Sequence, residues 1–332
     1  MSKLVKKLVL STVVVVLATS GIFYWWATMP LGMKSERIEF RVSPGSSLRG
    51  AANEIRGAGI DIFPWALILL GKALRVESSI KAGSYEIVRG ISALELIRKL
   101  TRGDVTLVEI AFIEGWTFRQ MREKLAAHPE VRHDTASLSD AEIMRLIGAP
   151  TVVAEGMFFP DTYLFSKQSR DVDVLARAYR TMQRHLAREW SGREAGLPYA
   201  DPQQALIMAS IVEKETGRDQ DRAMIAAVFV NRLRQGMLLQ TDPTVIYGMG
   251  ERFDGNLRKR DLLNDTPYNT YTRAGLPPTP IAMPGLASLR AALHPAASQA
   301  LYFVARGDGS SQFSRTLEEH NQAVNRYQRG AK

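Results

Sequence analysis

The chain has 332 residues, a formal net charge of +9 and no cysteine. Without cysteine, disulfide bonds, thiol catalysis and cysteine metal sites are excluded, so core burial must hold the fold together. Three of these positive charges belong to Lys3, Lys6 and Lys7. The remaining charge of +6 forms no basic stripe interleaved with aromatic residues, so we expect no nucleic-acid partner. A surplus of this size suits anionic surfaces.

An uncharged apolar run from Leu8 to Trp26 follows these lysines. At about 1.5 Å per residue, the run is long enough to cross about 30 Å of hydrocarbon. We therefore predict a single transmembrane anchor over residues 8–28, after a cytoplasmic N-terminus of residues 1–7, because positively charged flanks stay in the cytosol. The aromatic residues 24–26 are expected at the far membrane interface.

A cleaved secretory signal is the alternative interpretation of this run. Ala18 and Ser20 are small and acceptably spaced for cleavage, but the run is longer than the apolar part of a typical signal peptide, which favours the anchor. Both interpretations place the bulk of the chain outside the cytoplasm.

Residues 37–104 change pattern over short distances, which predicts a small α+β module. Apolar residues spaced at i, i+3, i+4 and i+7 and a Ser-x-x-Glu capping box indicate its helices. The predicted elements are a strand at Ile38–Val42, a helix after Ser47 that buries Leu48, Ala51, Ala52 and Ile55, a helix at Phe63–Leu74, a strand at Tyr85–Val88, and a helix opened by Ser92 and Glu95 that buries Leu94, Ile97 and Leu100.

Residues 105–332 form the second predicted domain, which is larger and rich in helices. The overall fold class is therefore α+β. The predicted elements are a strand at Val105–Ile113, helices opened by the pairs Thr117/Gln120 and Ser139/Glu142, a long amphipathic helix at Asp171–Trp190, a helical hairpin at 202–217 and 219–235, loop-rich chain beyond Gly236, a helix at Leu286–Leu293, and a strand hairpin around Asp308-Gly309.

The strongest candidate for chemistry is a carboxylate at the end of the predicted helix 202–217. With about 100° per residue, Glu215 lies on the side that carries Met208 and other apolar residues, whereas Glu213 points elsewhere. An apolar wall raises the pKa of a carboxyl group, which suits a general acid near neutral pH. The alternative is an ordinary solvated helix end that Gly217 terminates.

Five segments closely resemble the endolytic murein transglycosylases of the MltG/YceG-like family. Together with the anchor, they extend the resemblance over nearly the whole chain. The segments are EGMFFPDTY (155–163), ASIVEKET (209–216), NRLRQGMLLQTDPTVIYGMG (231–250), YNTYTRAGLPPTPIAMPG (268–285) and ALHPAASQALYFVARGDGSSQFSRTLEEHN (292–321).

The resemblance implies a reaction without a cofactor. In this family the second glutamate of the EKET segment, here Glu215, is the catalytic acid. It protonates the oxygen between N-acetylmuramic acid (MurNAc) and N-acetylglucosamine (GlcNAc), and then removes the proton from the C6 hydroxyl that attacks the anomeric carbon. The product is a 1,6-anhydro sugar, and no water is consumed. Acid and base action by one residue is coherent because each step restores the protonation state that the other needs.

The resemblance also implies location and partners. It implies a bacterial inner-membrane protein that faces outward, with peptidoglycan strands as substrate and peptidoglycan synthases (penicillin-binding proteins) as candidate partners. Residues 37–104 would be a LysM-like module and residues 105–332 the catalytic domain. The module either contacts glycan or serves as a spacer, and the sequence favours neither.

Residues of the family-matching segments are predicted to line a sugar cleft. Short polar side chains orient hydroxyl and acetamido groups, and aromatic faces pack on sugar C–H surfaces. We place Gln240, Thr241 and Asp242 on one side, and Tyr247, Asn269 and Tyr271 opposite. Asp242 would be the second carboxylate of a hydrolase, or merely a turn initiator before Pro243. EGMFFPDTY is either a cleft wall or, as the safer default, a packed corner.

Other chemistries find no support in the sequence. The five histidines are scattered without His-Glu-x-x-His spacing, so no metal site is expected. Gly-x-Ser-x-Gly is absent, which argues against a serine nucleophile. The alternative function is a non-catalytic peptidoglycan-binding scaffold of the cell-wall synthesis machinery.

Overall fold

The computed structural model describes residues 3–329, which fall into two compact units. The first unit runs to Val108 and takes in Leu164–Gln168, and the second comprises Glu109–Tyr163 and the chain from Ser169 onward. Helices and short two-stranded sheets occur in both units, which confirms the predicted α+β class.

The first unit begins with a long helix and continues as a small module of helices and strands. Its elements are α1 (Lys3–Thr28), β1 (Gly32–Met33), β2 (Arg37–Val42), α2 (Leu48–Gly57), β3 (Ile60–Asp61), α3 (Pro64–Ala73), β4 (Gly83–Val88) and α4 (Ala93–Arg102).

Helix α1 is long and apolar enough to cross a membrane, and it is the one such helix in the described part of the chain. Of the three aromatic residues expected at the membrane interface, Tyr24 and Trp25 are exposed, whereas Trp26 packs against the module. The ring of Trp26 stacks on Phe23 with centroids 5.4 Å apart, and both rings pack with Ala27 against the core of the first unit. The end of α1 is therefore part of the folded module.

The core of the module is built on the antiparallel pair of β2 and β4. Their register places Ile38 opposite Ile87 and Phe40 opposite Tyr85, and alternate residues of β2 are buried, as a strand with one covered face requires. Helices α2, α3 and α4 supply most of the rest of this core, together with Ala27, Leu31, Ile60 and Ile62.

Side-chain caps fix the start of several helices as the sequence predicts. Ser92 and Glu95 form a complete capping box at α4, so the predicted start is confirmed. The predicted burial is wrong at one position, because Leu94 is only half-buried, whereas Leu96 is fully buried. Ile97 and Leu100 are buried as predicted, so the side of α4 that faces the core is made of Ala93, Leu96, Ile97 and Leu100.

The second unit surrounds a buried central helix. The chain passes between the units within strands β5 (Leu107–Ala111) and β7 (Thr162–Ser166). The further elements are α5 (Phe118–Ala126), β6 (Val131–Arg132), α6 (Asp140–Leu146), β8 (Ser169–Arg170), α7 (Asp171–Ser191), α8 (Pro202–Glu215), α9 (Asp219–Arg234), α10 (Asp242–Met249), α11 (Lys259–Leu263), α12 (Leu286–Leu293), β9 (Tyr302–Ala305), β10 (Ser311–Ser314) and α13 (Leu317–Val324).

Helix α8 is the central element of this unit. Every residue from Ala205 to Val212 is buried, because α7, α9, α10 and α12 all pack against α8. A helix that is apolar on all sides needs such a complete shell. The run of fully buried residues ends where the polar EKET segment begins, so the last turn of α8 holds its acids at the edge of the core.

Two of the alternative interpretations in this region do not match the structure. Helix α8 ends at Glu215 with Thr216 in an extended conformation, and Gly217 is not among the left-handed residues, so no glycine terminates the helix. Asp242 and Pro243 are not a turn either, because they are the first two residues of α10, where proline is well tolerated.

Candidate active site

Glu215 is the last residue of α8, and its carboxyl group is held by one neighbouring side chain. The hydroxyl of Thr241, just before α10, donates a hydrogen bond to Glu215 Oε1. Burial raises the pKa of Glu215 to about 7, against the opposing effect of the Thr241 hydrogen bond and with a further increase from the negative charge of Asp242. A substantial fraction of Glu215 therefore keeps its proton at neutral pH.

Thr241 is fixed by a cluster of buried threonines. Its N–H donates to Thr270 Oγ1 at 3.1 Å, and the hydroxyl of Thr244 donates to the Thr241 carbonyl at 2.7 Å. The hydroxyls of Thr244 and Thr270 are 2.8 Å apart. All three side chains are buried. Thr241 therefore positions the acid and, against the expectation of a sugar contact, does not present its hydroxyl to solvent.

Gln240 lies on the exposed side of the same segment. Its backbone takes φ +53, a left-handed conformation that is uncommon for a residue other than glycine. The backbone N–H donates to Thr270 O at 3.1 Å, and the side-chain oxygen accepts from Arg232 at 3.4 Å. These bonds hold a strained residue beside the candidate acid, a combination that is frequent at functional sites.

Asp242 and Tyr271 form a pair at the surface. The Tyr271 hydroxyl donates to Asp242 Oδ1 at 2.5 Å. The two side chains thus lie on the same side of the site, and not across a cleft from each other as predicted. Because Asp242 acts on the pKa of Glu215 through its charge, this pair adjusts the acid while remaining accessible to a ligand.

Asn269, predicted to contact the substrate, is fully buried instead. Its amide donates to the carbonyls of Leu262 and Asn264, and its oxygen accepts from the N–H of Tyr271 at 2.8 Å. With its polar atoms used inside the chain, Asn269 fixes the loop that carries Tyr271.

Tyr247 connects α10 to a second carboxyl group that the sequence reasoning did not single out. Its hydroxyl donates to Glu155 Oε2 at 3.1 Å, while Glu155 Oε1 accepts from the N–H of Phe118 at the start of α5. Glu155 is only 8% exposed, and burial raises its pKa to about 7. Two carboxyl groups with a pKa of about 7 are therefore bonded to opposite ends of α10, Glu215 through Thr241 and Glu155 through Tyr247.

The segment EGMFFPDTY combines the two roles that the sequence left open. Its aromatic residues form a packed corner, since Phe158 stacks on Phe118 at 4.7 Å and Tyr163 contacts Phe112 at 5.6 Å. Its first residue, Glu155, lines a cavity. In the sequence, the position of Glu155 directly before a glycine is the one sign that this acid is special. Its buried environment becomes visible only through the long-range contact with Tyr247.

Gly156 allows this segment to approach a neighbouring loop. Its φ is +79, and a Cβ atom here would collide with the ring of Pro280. We expect Gly156→Ala to destabilise the protein by about 1–3 kcal/mol in thermal denaturation. The matched control is Gly148→Ala, where φ is +87 and nothing lies within 4 Å, so that only backbone strain of about 1 kcal/mol applies. Equal losses in both variants would show that the Pro280 contact is unimportant.

A cavity of about 1170 Å³ opens beside these residues. Glu155, Tyr247 and Tyr268 contribute polar and aromatic groups to its lining, and Lys214 and Pro243 line it as well. Glu215 and Asp242, their neighbours in the chain, are not among the lining residues. The edge-on contact of Tyr247 with Tyr268, at 4.8 Å, presents aromatic surface to the cavity. Its size and mixed lining suit an extended polar ligand with apolar faces.

Glu213 is buried as well, although the helical-face argument separates it from Glu215. Its side chain is 6% exposed and lies 3.9 Å from Arg222, whose side chain is 8% exposed. Glu213 Oε2 also accepts from the N–H of Gly285 at 2.9 Å, at the start of α12. The difference between the two acids is therefore one of partners: Glu213 has a cation and a helix N-terminus, whereas Glu215 has a neutral hydroxyl.

Comparison with known proteins finds relatives over most of the chain. The model of the YceG-like family matches residues 40–326. The endolytic murein transglycosylase of Bacillus subtilis is 35% identical over 267 residues, which are 75% of this chain and 74% of the relative. The protein of the same name from Streptococcus pneumoniae is 27% identical over 280 residues, which are 74% of this chain but only 50% of that relative.

The fold has a counterpart among solved structures. The crystal structure of a YceG-like protein from Listeria monocytogenes is 29% identical in sequence and superimposes with a TM-score of 0.55. The match covers 86% of this chain and 98% of that one. The likeness therefore includes both sequence and architecture.

Proposed function

The chain belongs to the YceG-like family, and from this membership and the surroundings of Glu215 we propose that it is an endolytic lytic transglycosylase of peptidoglycan. It cleaves the β-1,4 bond between MurNAc and GlcNAc within glycan strands and leaves 1,6-anhydro-MurNAc ends. The observation that carries the proposal is Glu215: its carboxyl group is held by Thr241, its pKa is raised to about 7, and it directly follows Lys214, which lines the large cavity.

In the first step Glu215 acts as the general acid. Thr241 occupies Glu215 Oε1, which leaves Oε2 to donate its proton to the glycosidic oxygen as the bond to the anomeric carbon breaks. The transition state resembles an oxocarbenium ion. The exposed carboxylate of Asp242 supplies negative charge on this side of the site, and it lowers the cost of the positive charge on the sugar ring.

In the second step the Glu215 carboxylate acts as the general base. It removes the proton from the C6 hydroxyl of the same MurNAc, whose oxygen then bonds to the anomeric carbon and closes the 1,6-anhydro ring. The proton lost in the first step is regained in the second, so the enzyme returns to its starting state without water.

The remaining residues of the site bind the strand in this proposal. Gln240 and Asp242 lie on the exposed side of Glu215, and Tyr271 is held against Asp242. Tyr247 presents its ring to the cavity, while its hydroxyl is bound to Glu155. Aromatic rings pack on sugar faces, and amide and carboxylate groups bind hydroxyl and acetamido groups.

Location and partners follow from the same proposal. Helix α1 anchors the protein once in the bacterial inner membrane, with the bulk of the chain on the periplasmic or extracytoplasmic side. The LysM-like module of residues 37–104 stands between the anchor and the catalytic domain of residues 105–332. Peptidoglycan synthases are the expected partners, because an enzyme that cuts strands internally acts where strands are made.

Mass spectrometry of glycan strands digested in water enriched with oxygen-18 tests the reaction. We expect 1,6-anhydro-MurNAc ends without the heavy isotope, because the C6 hydroxyl is the nucleophile. Reducing ends that carry oxygen-18 would show a hydrolase instead. Intact strands under conditions in which the protein binds glycan would favour the non-catalytic scaffold.

The pH dependence of activity should follow the proton on Glu215. The acid must be protonated in the free enzyme, so kcat/KM should fall as the pH rises through about 7. Asp242→Asn removes the negative charge that raises the pKa of Glu215, while it keeps an acceptor for Tyr271. We therefore expect the decline to move to lower pH in this variant. An unchanged or opposite shift in the pH profile would contradict the assignment of Glu215.

A further inference from the structure

Helix α3 is apolar up to Lys72 in its last turn, yet part of its apolar surface is exposed to solvent. Phe63, Trp65 and Leu69 are 56%, 65% and 47% exposed. The segment IFPWALILLG, residues 62–71, has no charged side chain, and the indole N–H of Trp65 is its single polar side-chain group. A helix that is apolar on all sides normally lies in a protein core or against lipid. The exposed face of α3 therefore needs an occupant.

The register of the short sheet places the start of α3 next to the end of α1. Strands β1 and β3 run antiparallel with Gly32 opposite Asp61 and Met33 opposite Ile60. Beyond this pair, the chain that leads to Phe63 runs back toward residue 30. Helix α1 ends at Thr28, so Phe63 lies at the level of the chain just after the anchor.

The length of α1 sets the depth of this region. Hydrocarbon of about 30 Å is spanned by about 20 helical residues, so a span that begins after Lys7 ends near Ala27. Yet Phe23, Trp26 and Ala27 already pack against the core of the module. The module therefore touches the anchor within the last turn of the span, which is possible only if it rests directly on the bilayer.

We propose that the start of α3, through Phe63, Trp65 and Leu69, inserts into the headgroup region on the extracytoplasmic side of the membrane that α1 spans. It forms a second membrane contact beside α1. The inference rests on the proposed anchor. Aromatic side chains favour the interface between hydrocarbon and headgroups, and a short apolar helix face that lies in the interface plane is a common mode of peripheral binding. Lys72 and Arg75 are exposed at the other end of α3, where they meet anionic headgroups.

A glycan strand is the competing occupant of this face. Aromatic rings do bind sugars, but saccharide sites also need groups that bind hydroxyls. The exposed face of Phe63, Trp65 and Leu69 offers only the indole N–H. Together with the position beside α1, this composition favours lipid.

The absence of cysteine permits a direct test with single cysteines in the full-length protein. Nitroxide labels are placed at Phe63→Cys and Trp65→Cys, with Val15→Cys in the exposed middle of α1 as the immersed reference. Leu107→Cys is the aqueous control, since Leu107 is exposed. The neighbouring Thr106 donates a backbone hydrogen bond to Ser84 at the start of β4. The chain beside α1 is bonded to Ile91, beyond the other end of β4. The labelled proteins are reconstituted in vesicles of phosphatidylglycerol and phosphatidylethanolamine, and relaxation by oxygen and by a water-soluble nickel chelate is measured.

We expect labels at positions 63 and 65 to be several-fold more accessible to oxygen, relative to the nickel chelate, than the label at 107. If the label at 15 is immersed but the labels at 63 and 65 are as accessible to nickel as the label at 107, the inference about α3 is wrong and the proposed anchor is not affected. A label at 15 that is accessible to nickel would overturn the anchor as well. If the labels at 63 and 65 are accessible to the nickel chelate and become immobile only when glycan strands are added, the face binds glycan and the inference fails.

Discussion

Replacing Glu215 by Gln should reduce the formation of anhydro ends by about 10³-fold or more, since one positioned general acid contributes roughly 10²–10⁴ to a rate and this residue also serves as the base. Glutamine has nearly the same shape, and its oxygen can still accept from Thr241, so the fold should be kept. The amide N–H groups of glutamine are far too weakly acidic to protonate the glycosidic oxygen. The measurement is the rate at which anhydro-muropeptides appear from purified strands.

The matched control is Glu213→Gln, two residues earlier in the same helix. Its amide oxygen can still accept from Gly285, and Glu213 has no role in the proposed reaction. We expect activity within a few-fold of the native protein, together with a lower melting temperature, because buried Arg222 loses a charged neighbour. Equal losses of activity in the two variants at equal folded fractions would contradict the assignment of Glu215.

The second large effect concerns stability and the buried Glu155. Its pKa is raised from 4.5 to about 7 in the folded protein, so between these values the folded state keeps a proton that the unfolded state has lost. Stability therefore falls as the pH rises from about 4.5 to 7, by about 3 kcal/mol at 1.36 kcal/mol per pKa unit. Glu155→Gln removes this titration. We expect the variant to match the native protein near pH 4.5 and to be more stable by about that amount at pH 8.

Chemical denaturation of the detergent-solubilised protein at several pH values measures this difference. The control is Glu142→Gln at the capping box of α6, where hydrogen bonds from Ser139 lower the pKa of Glu142. A lowered folded pKa gives stability above the unfolded pKa that is lost as the pH falls, so the control has the opposite pH trend. A Glu155→Gln variant that shows no gain between pH 4.5 and pH 8 would contradict a buried, protonated Glu155.

The parts of the fold that the sequence predicts correctly depend on neighbouring residues. Capping boxes such as Ser92/Glu95 and Ser139/Glu142 act over three residues, and their helices begin where expected. The hairpin of β9 and β10 likewise follows from a local turn signal. The YceG-like resemblance identified the family for the same reason, because its motifs are contiguous in the chain.

The properties of the site depend on contacts between distant residues. Glu155 and Tyr247 are 92 positions apart, so no local pattern shows that their side chains meet. The burial of Glu213 depends on Arg222 and on the start of α12, and helical periodicity, which placed Glu213 only on a different side of the helix from Glu215, does not show these partners. Asn269 has an amide side chain of the kind that binds sugars, but its amide donates hydrogen bonds to the carbonyls of Leu262 and Asn264 instead.

Helix α8 combines deep burial with a reactive end, and this has a consequence for how the family diversifies. Local opening is rarest in the most enclosed elements, so the proposed proton donor keeps its position while surface segments fluctuate. Gln240, Asp242 and Tyr271 lie on such outer segments. If the proposed function holds, substitutions there can alter which saccharides are preferred without moving Glu215, so that selectivity and acid–base chemistry are able to change on separate parts of the molecule.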